Sequence, residues 1–442
     1  MNAVSGSLEK VQTAIEETAR AAMETALRDH SVNAQIVRGV TMIGHAVMAT
    51  DQPAHRAQQP AMTNRNFVSG MSESLEPRVI AVRDVIRTVA TALRVATALR
   101  VATVPRVATV RNGRSVTSSI WGVYDTLLAD LDGVVYEGKK AIEPAPSVIS
   151  KFQRDGIKVG YVTNNSSRRP ETIAEQLLGF GIETLPSQVI GSAQTGVELL
   201  ATLIPAGSRV LVVGGDGLRS AVIGAGFELV ESAAENPAGV IQGFAPDVAW
   251  KHLAEASYAI QRGAKWVATN GDWTIPQEHG IAPGNGTLVS AVHTAVGILP
   301  PFAGKPEPQI FHTAIAQLGA KKPLFVGDRI DTDITGANRA GIDSVLVMTG
   351  ISTRKEVLGI KAEGRPKFII ADLSELTTKY PEPKQTKRGY KVGKTLVELL
   401  GNKVRVVDGD PKSLDALRAA CAVIYNCELP IYALDVEPAL YE

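Results

Sequence analysis

Short apolar runs recur through the last three-quarters of the chain, and four of them stop at a loop rich in polar side chains. Leu127-Leu128-Ala129 runs into Asp130-Leu131-Asp132-Gly133-Val134-Val135-Tyr136. Lys158-Val159-Gly160-Tyr161-Val162 leads into Thr163-Asn164-Asn165-Ser166-Ser167. Pro301-Phe302-Ala303-Gly304 leads into Lys305-Pro306-Glu307-Pro308, and Pro323-Leu324-Phe325-Val326 into Gly327-Asp328-Arg329-Ile330-Asp331-Thr332-Asp333. Runs of this length, bounded by turn residues, read as buried strands. Helical patterns fall between them, which predicts an α/β fold with a doubly wound parallel-sheet core.

Between the second and third loops lie about 140 residues, too many for a loop and enough for a separate unit. Arg209–Val213, Val240–Phe244 and Trp266–Thr269 read as strands and Trp250–Arg262 as a helix. The insert is thus itself α/β. Gly215-Asp216-Gly217 follows a strand as a dinucleotide fingerprint would, but Ser220 stands where the third glycine belongs. A tight strand–helix turn is the better reading. The expected organisation is an N-terminal extension (1–118), a core (119–203 and 302–380), an inserted cap (204–301) and a small C-terminal α/β tail (386–442). In the tail, Val404–Val407 and Leu429–Leu434 read as strands, Ser413–Tyr425 as a helix, and Pro381–Gln385 as the linker before it.

The extension is different in kind. Leu8–Leu27 has helical character and Asp51–Arg65 is polar. A six-residue repeat, Val89-Ala90-Thr91-Ala92-Leu93-Arg94 and its successors, runs to Asn112. Six residues make about 1.67 helical turns, so the arginines would spiral rather than line one face. No acid lies between Asp84 and Asp125. A tether to nucleic acid or another anionic surface competes with a disordered or partly helical leader, or with sequence ahead of the true start. The leader is the expected reading, and a chain starting near Val116 is expected to function.

Of the 442 residues 45% are hydrophobic, enough for a substantial core, and the formal net charge is +1. That charge does not announce a nucleic-acid partner. No apolar run approaches bilayer-spanning length, and the first residues lack a signal peptide's pattern. Cys421 and Cys427 form neither a disulfide framework nor a zinc pattern. A cytoplasmic protein with reduced cysteines is expected.

Candidate chemistry sits at the strand ends. Asp130 and Asp132 are one residue apart before a glycine, and burying both is costly unless a cation neutralises them. The alternative is a strand ending in an Asp-Gly turn. Thr163-Asn164-Asn165 could equally be a turn or helix cap, and Lys305 an exposed loop lysine. In an open parallel sheet, however, loops at the carboxyl ends converge on one crevice. That crevice would hold acidic metal ligands, a hydroxyl with amide donors, and a lysine, which together suit a phosphoryl group.

The four segments, in this order, resemble the motifs of the haloacid dehalogenase superfamily over roughly residues 120 to 380. The Thr163-Asn164-Asn165, Gly304-Lys305-Pro306 and Gly327-Asp328…Asp333 forms are similar to those of its nitrophenyl, phosphoglycolate, pyridoxal phosphate and glycerol-phosphate phosphatases. Ala268-Thr269-Asn270-Gly271-Asp272 and Pro283-Gly284-Asn285-Gly286 resemble that branch's large cap. The resemblance implies Asp130 as nucleophile and Asp132 as general acid and base, its carbonyl also a metal ligand. It further implies Asp328 as the second carboxylate ligand of Mg²⁺, Asp333 in support, and Asp331 as the weaker candidate. Thr163, Asn164, Asn165 and Lys305 would bind substrate, and Asn270 and Asp272 would serve cap closure or substrate contact. His279 and His293 are assigned nothing.

The expected activity is Mg²⁺-dependent hydrolysis of a small-metabolite phosphomonoester through an aspartyl-phosphate. Glycerol phosphate or phosphoglycolate is favoured, with nucleoside monophosphate or pyridoxal phosphate as the alternative. The other class of reading is a non-catalytic binding or regulatory protein on a phosphatase scaffold. The expected partner is thus a small phosphate ester, with neither membrane nor nucleic acid. The tail would dock on the phosphatase or on a second subunit, so a homo-oligomer stays open.

Overall fold

The computed structural model describes residues 120–277 and 279–442. The expected N-terminal extension, with its helical stretch and hexad repeat, lies outside the described residues.

Strand β1 (Thr126–Ala129) is buried along its whole length. It is followed by helix α1 (Ala145–Arg154), β2 (Lys158–Thr163), α2 (Pro170–Gly179), β3 (Val189–Gly191) and α3 (Ser192–Ala201). The insert then contributes β4 (Arg209–Val213), α4 (Asp216–Gly224), β5 (Glu228–Val230), β6 (Gly239–Gln242), α5 (Trp250–Gln261) and β7 (Lys265–Ala268). A hairpin of β8 (Thr274–Gln277) and β9 (Gly280–Pro283) precedes α6 (Asn285–Val296). The chain returns through α7 (Pro308–Leu318), β10 (Pro323–Gly327), α8 (Thr335–Arg339), β11 (Asp343–Val347), α9 (Arg354–Gly359) and β12 (Phe368–Ile370).

Six of these strands form one all-parallel sheet, in the order β12-β11-β10-β1-β2-β3. Both faces are covered, and β1 shows why its run is continuously apolar. Leu127 packs with Val148, Ile149 and Phe152 of α1, while its neighbour Leu128 packs on the opposite face with Ile310, Phe311 and Ala314 of α7. A strand buried on both faces has no room for alternating polar residues. The winding reverses between β1 and β10, and that switch point is where such sheets bind ligands.

The insert has its own parallel sheet, in the order β5-β4-β6-β7. α5 and α6 cover one face through Ala256, Ile260, Val289 and Val292. α4 covers the other through Leu218 and Val222, joined by Ala193, Val197 and Leu200 of α3. α3 thus leaves the edge strand of the large sheet yet buries its apolar face against the insert.

The Pro301–Gly304 run, expected as a strand of the common sheet, is not one. Only an isolated bridge forms, between Phe302 and Ala268 at the end of β7. Pro300, Pro301 and Pro306 remove the amide donors a longer ladder needs. The pairing is therefore confined to Ala268 N–H on Pro301 O (3.1 Å) and Ala303 N–H on Ala268 O (3.1 Å). Lys305 consequently enters from the insert's sheet rather than from a strand of the large one.

The tail is a five-stranded sheet of β13 (Lys384–Gln385), β14 (Gly389–Val392), β15 (Thr395–Leu400), β16 (Lys403–Asp408) and β17 (Asp435–Val436), in that order. Helix α10 (Leu414–Asn426) packs on it. Two expectations fail here. Lys384–Gln385, expected in the linker, pairs with β14. Leu429–Leu434 is a 3-10 turn at Ile431–Ala433, not a strand. Leu429, Ile431 and Tyr432 stay exposed, so no buried face rewards extension there.

One cluster joins tail to core: Val392, Val404, Leu417, Ala420 and Ile424 with Ile334, Leu346, Val357 and Ile369. Buried Arg418 of α10 pins the joint. Its guanidinium donates twice to Ile369 O (2.9 and 2.7 Å) and pairs with Glu375 and Asp415. Arg418→Ala would strand these acceptors, so thermal and urea unfolding should show a loss of about 3 kcal/mol. An unchanged midpoint would mean that the joint carries no stability.

Candidate active site

Asp130 directly follows β1 and Asp328 directly follows β10, on the two strands that flank the switch point. The parallel ladder pairs Ala129 with Val326, and Asp130 N–H continues it onto Val326 O at 2.9 Å. The two carboxylates are therefore placed side by side by sheet register. Asp333 joins them from the turn after β10, and one carboxylate oxygen of each lies within 4.8 Å of the others. All three residues are buried.

Close packing holds Asp328. A Cβ added at Gly133 would stand 2.5 Å from Asp328 Oδ2, and one at Gly350 would stand 2.0 Å from it. Gly133 also has φ of +80°, a region L side chains avoid. Asp328 Oδ2 accepts from Ile351 N–H at 2.8 Å, while Oδ1 is buried without a partner. Burial, with Asp333 beside it, pushes the Asp328 carboxyl up to about 7. Burial likewise raises Asp130, against the pull of Lys305 and with Asp333 and Asp328 adding to the rise.

Lys305 is the cation within this group. Its Nζ lies 2.7 Å from Asp130 Oδ1 and 2.7 Å from Asp333 Oδ1, and it donates to Val162 O at 3.0 Å. Burial works against its charge, but Asp130 and Asp333 outweigh burial and hold the ammonium above its ordinary value. One ammonium against three carboxylates leaves the cluster with excess negative charge. Two unit charges about 4 Å apart repel by roughly 4 kcal/mol at an effective dielectric near 20. The orphaned Asp328 Oδ1 and this excess fit a hard divalent cation, which takes oxygen ligands.

Asp333 has little freedom. Its Oδ2 accepts from the amides of Asp328 and Arg329, both at 3.1 Å, and Oδ1 faces Lys305. Asp331 points elsewhere, exposed and bound to Arg329 at 2.7 Å. Asp132 lies outside the three-carboxylate cluster. It stays exposed, while the protein packed around it raises its carboxyl, opposed by Arg168 and Lys305.

Thr163 ends β2 and is buried. Its Oγ1 accepts from Asn165 N–H at 3.1 Å, so its own hydrogen remains free to donate. Asn164 is committed to protein. Its Oδ1 accepts from Lys305 N–H (2.8 Å), and its Nδ2 donates to Lys305 O (3.0 Å) and to Asp272 (3.1 Å). Asn165 Oδ1 accepts from the amides of Ser167 (3.0 Å) and Arg168 (3.1 Å), which shapes the loop entering α2.

Several contributors escape the sequence reading. Arg168 reaches Tyr136 Oη at 2.9 Å and biases Asp132 electrostatically. Thr349 Oγ1 holds Gly133 O at 2.7 Å, and Ser352 Oγ accepts from Ile330 N–H at 3.0 Å. These last two follow β11, so the rule that strand ends carry chemistry would have found them. Gly215-Asp216-Gly217 is the expected strand–helix turn and also a contact: Gly217 N–H donates to Ser167 O at 2.9 Å, and a Cβ there would meet Arg168 O at 2.4 Å. Asp216 pairs with Arg169.

Comparisons with known proteins agree with this geometry. The family model for haloacid dehalogenase-like hydrolases matches residues 127–228, and a second HAD-hydrolase-like model matches 302–376. A D-glycerol 3-phosphate phosphatase of Mycobacterium tuberculosis is 39% identical over 258 residues, covering 58% of this chain and 72% of the relative. An acid sugar phosphatase of Staphylococcus saprophyticus is 36% identical over 255 residues, covering 57% and 96%. The crystal structure of a glycerol phosphate phosphatase from M. tuberculosis in complex with magnesium superposes with a TM-score of 0.65 at 34% identity. It covers 73% of this chain and 95% of that one. A thermostable NPPase from Geobacillus stearothermophilus gives 0.52 at 34% identity, covering 57% and 96%. With the strand order, the acidic cluster and these likenesses together, the chain belongs to the haloacid dehalogenase-like hydrolase family.

Proposed function

We propose that the chain is a Mg²⁺-dependent phosphatase that hydrolyses a small-metabolite phosphomonoester through an aspartyl-phosphate on Asp130. The observation that carries this reading is the buried cluster of Asp130, Asp328 and Asp333 around the Lys305 ammonium. Such a cluster is unfavourable by itself and becomes favourable once a divalent ion is bound, which also lets an anionic phosphoryl group approach.

Asp130 and Asp328 would hold the ion, with the Asp132 carbonyl as the third protein ligand. When bound, the ion supplies positive charge that keeps the carboxylates ionised and offsets the phosphate's charge. Lys305 keeps Asp130 oriented and screens it from the incoming phosphoryl group. The free Thr163 hydroxyl donates to a phosphoryl oxygen. An Asp130 carboxylate oxygen attacks phosphorus as the ester oxygen leaves, and Asp132 gives that oxygen its proton. Asp132, now a carboxylate, takes a proton from water as the water oxygen attacks phosphorus. Inorganic phosphate departs and Asp130 returns to its starting state. A raised carboxyl at position 132 suits the first of its two duties.

Residues 204–301 are read as a cap, since the ends of β4, β6 and β7 all abut the Thr163–Arg168 loop. A cap in that position selects the leaving group and limits water. Glycerol phosphate is the first substrate choice, ahead of phosphoglycolate, because a relative at 39% identity carries that name. Acid sugar phosphates are a natural comparison from the staphylococcal relatives, and nucleoside monophosphates and pyridoxal phosphate complete the panel.

Asp130→Asn should lower phosphate release by at least about 10³-fold while circular dichroism stays unchanged. Retained turnover would show the nucleophile to be another residue. Chelation should abolish release and Mg²⁺ restore it. Saturating Mg²⁺ should also raise the melting temperature of the wild type more than that of Asp328→Asn; equal shifts would remove Asp328 from the ligand set. Across the ester panel, glycerol phosphate should give the highest kcat/KM. Turnover of none of the esters, with a steep salt-dependent gel shift on nucleic acid, would favour the non-catalytic reading.

A further inference from the structure

The geometry points to Asn164 as a positioning residue that, held by Asp272 of the insert, clamps the backbone of Lys305 and so sets the lysine's reach to Asp130. The idea deepens the phosphatase reading and rests on it for the consequence in rate.

Asn164 grips Lys305 from both sides. Its carbonyl accepts from Lys305 N–H at 2.8 Å and its amide donates to Lys305 O at 3.0 Å. A primary amide that meets both backbone groups of one residue holds the two peptide units that flank its Cα, here Gly304–Lys305 and Lys305–Pro306, and so fixes the direction in which the Lys305 side chain leaves the backbone. The same Nδ2 donates to Asp272 Oδ1 at 3.1 Å and Oδ2 at 3.3 Å. An acceptor at that spot determines which end of the amide faces which way, because a carboxylate takes N–H and repels C=O. Gly304 leaves the room: a Cβ there would stand 2.5 Å from Asn164 Oδ1.

Further asparagines extend the connection. Asn270 Nδ2 donates to Asn164 O at 2.8 Å, and Asn285, at the start of α6, donates to Asn270 O at 2.8 Å. Asp272 is itself held, its N–H by Asn270 Oδ1 at 3.2 Å and its carbonyl by Gly286 N–H at 2.8 Å. Asn270, Asp272, Asn285 and Gly286 thus lock the insert's two polar turns to the residue that locks Lys305. With Lys305 anchored on the insert side and Asp130 on the large sheet, a shift between the two units would separate ammonium and carboxylate unless something registers them. Asn164 directly follows β2 of the large sheet, and its side chain binds Lys305 and Asp272 of the insert, which gives it that registering position.

A residue that contacts substrate and one that positions a lysine differ in what their loss does. Asn164→Ala should lower kcat by up to about 100-fold, and Asp272→Ala by about tenfold, with KM within roughly threefold in each. Asp272→Asn should recover most of the rate, because its side-chain carbonyl still accepts from Asn164. The double alanine variant should be no slower than Asn164→Ala alone, since both act through one clamp. Crystal structures of the variants should show Lys305 Nζ displaced from Asp130 in Asn164→Ala and in Asp272→Ala. A raised KM with unchanged kcat in Asp272→Ala, additive losses, or an unmoved Lys305 would each overturn the clamp. The displacement is read without turnover, so absent phosphate release would defeat the phosphatase reading while the lysine's position still decides this one.

Discussion

Three carboxylates share one buried end of a parallel sheet with a single ammonium, and much of the surrounding structure follows from that imbalance. Sheet register forces Asp130 and Asp328 together, because β1 and β10 are neighbours and both end at the same level. Asp333 cannot turn away, since two backbone amides and Lys305 hold its carboxylate. Burial and mutual repulsion lift the first two carboxyls above their ordinary range. A fold that only needed stability would place apolar side chains here, since buried like charges lower stability unless compensated. Their retention makes sense where a bound cation completes the balance and leaves Asp130 able to meet an anionic substrate.

The same imbalance explains why Lys305 is held so carefully. A lysine side chain is long and flexible, and an ammonium displaced by an ångström or two loses its hydrogen bonds to the carboxylates. The chain answers with backbone as well as side-chain contacts: Gly304 N–H on Thr269 O at 2.7 Å, Asn164 on both backbone groups of Lys305, and Val162 O on the ammonium. The insert is therefore no independent lid on a string. Its β7 pairs with the segment leading to Lys305, its Gly217 and Gly243 approach the Thr163–Arg168 loop closely, and its Thr269 donates to Ser166 at 3.1 Å.

Much of this was legible in the chain because strand ends advertise themselves. A continuously apolar run that stops at Asp or Thr marks a strand buried on both faces, and Leu127-Leu128 obeys that rule with one leucine on each side of the sheet. The Pro301–Gly304 run looked alike and was not, because an apolar stretch carries no label for the sheet it joins and its prolines limit pairing to one bridge. Leu429–Leu434 misled for a related reason: its apolar residues found no face to bury. Asp331 and Asp333 are the same residue type two positions apart; the resemblance ranked Asp333 first, and the turn after β10 is what buries it and leaves Asp331 exposed. Asn164 enters the expected substrate cradle through the family resemblance. Its double grip on Lys305 depends on a residue 141 positions away, which no local pattern encodes.

Glycines carry the part of the design that composition hides. Gly133 and Gly350 are distant in sequence, yet both exist where a Cβ would strike Asp328. Gly304 does the same for Asn164, and Gly215 and Gly217 for the loop that ends at Arg168. None of these positions bears a functional group, so each looks like an ordinary turn residue in the chain. Together they allow backbone to approach charged or hydrogen-bonding side chains more closely than any other residue permits. An ordered charged cluster needs that closeness, since an added methyl group at Gly133 or Gly350 would push the Asp328 carboxylate out of place, and one at Gly304 would push the Asn164 amide.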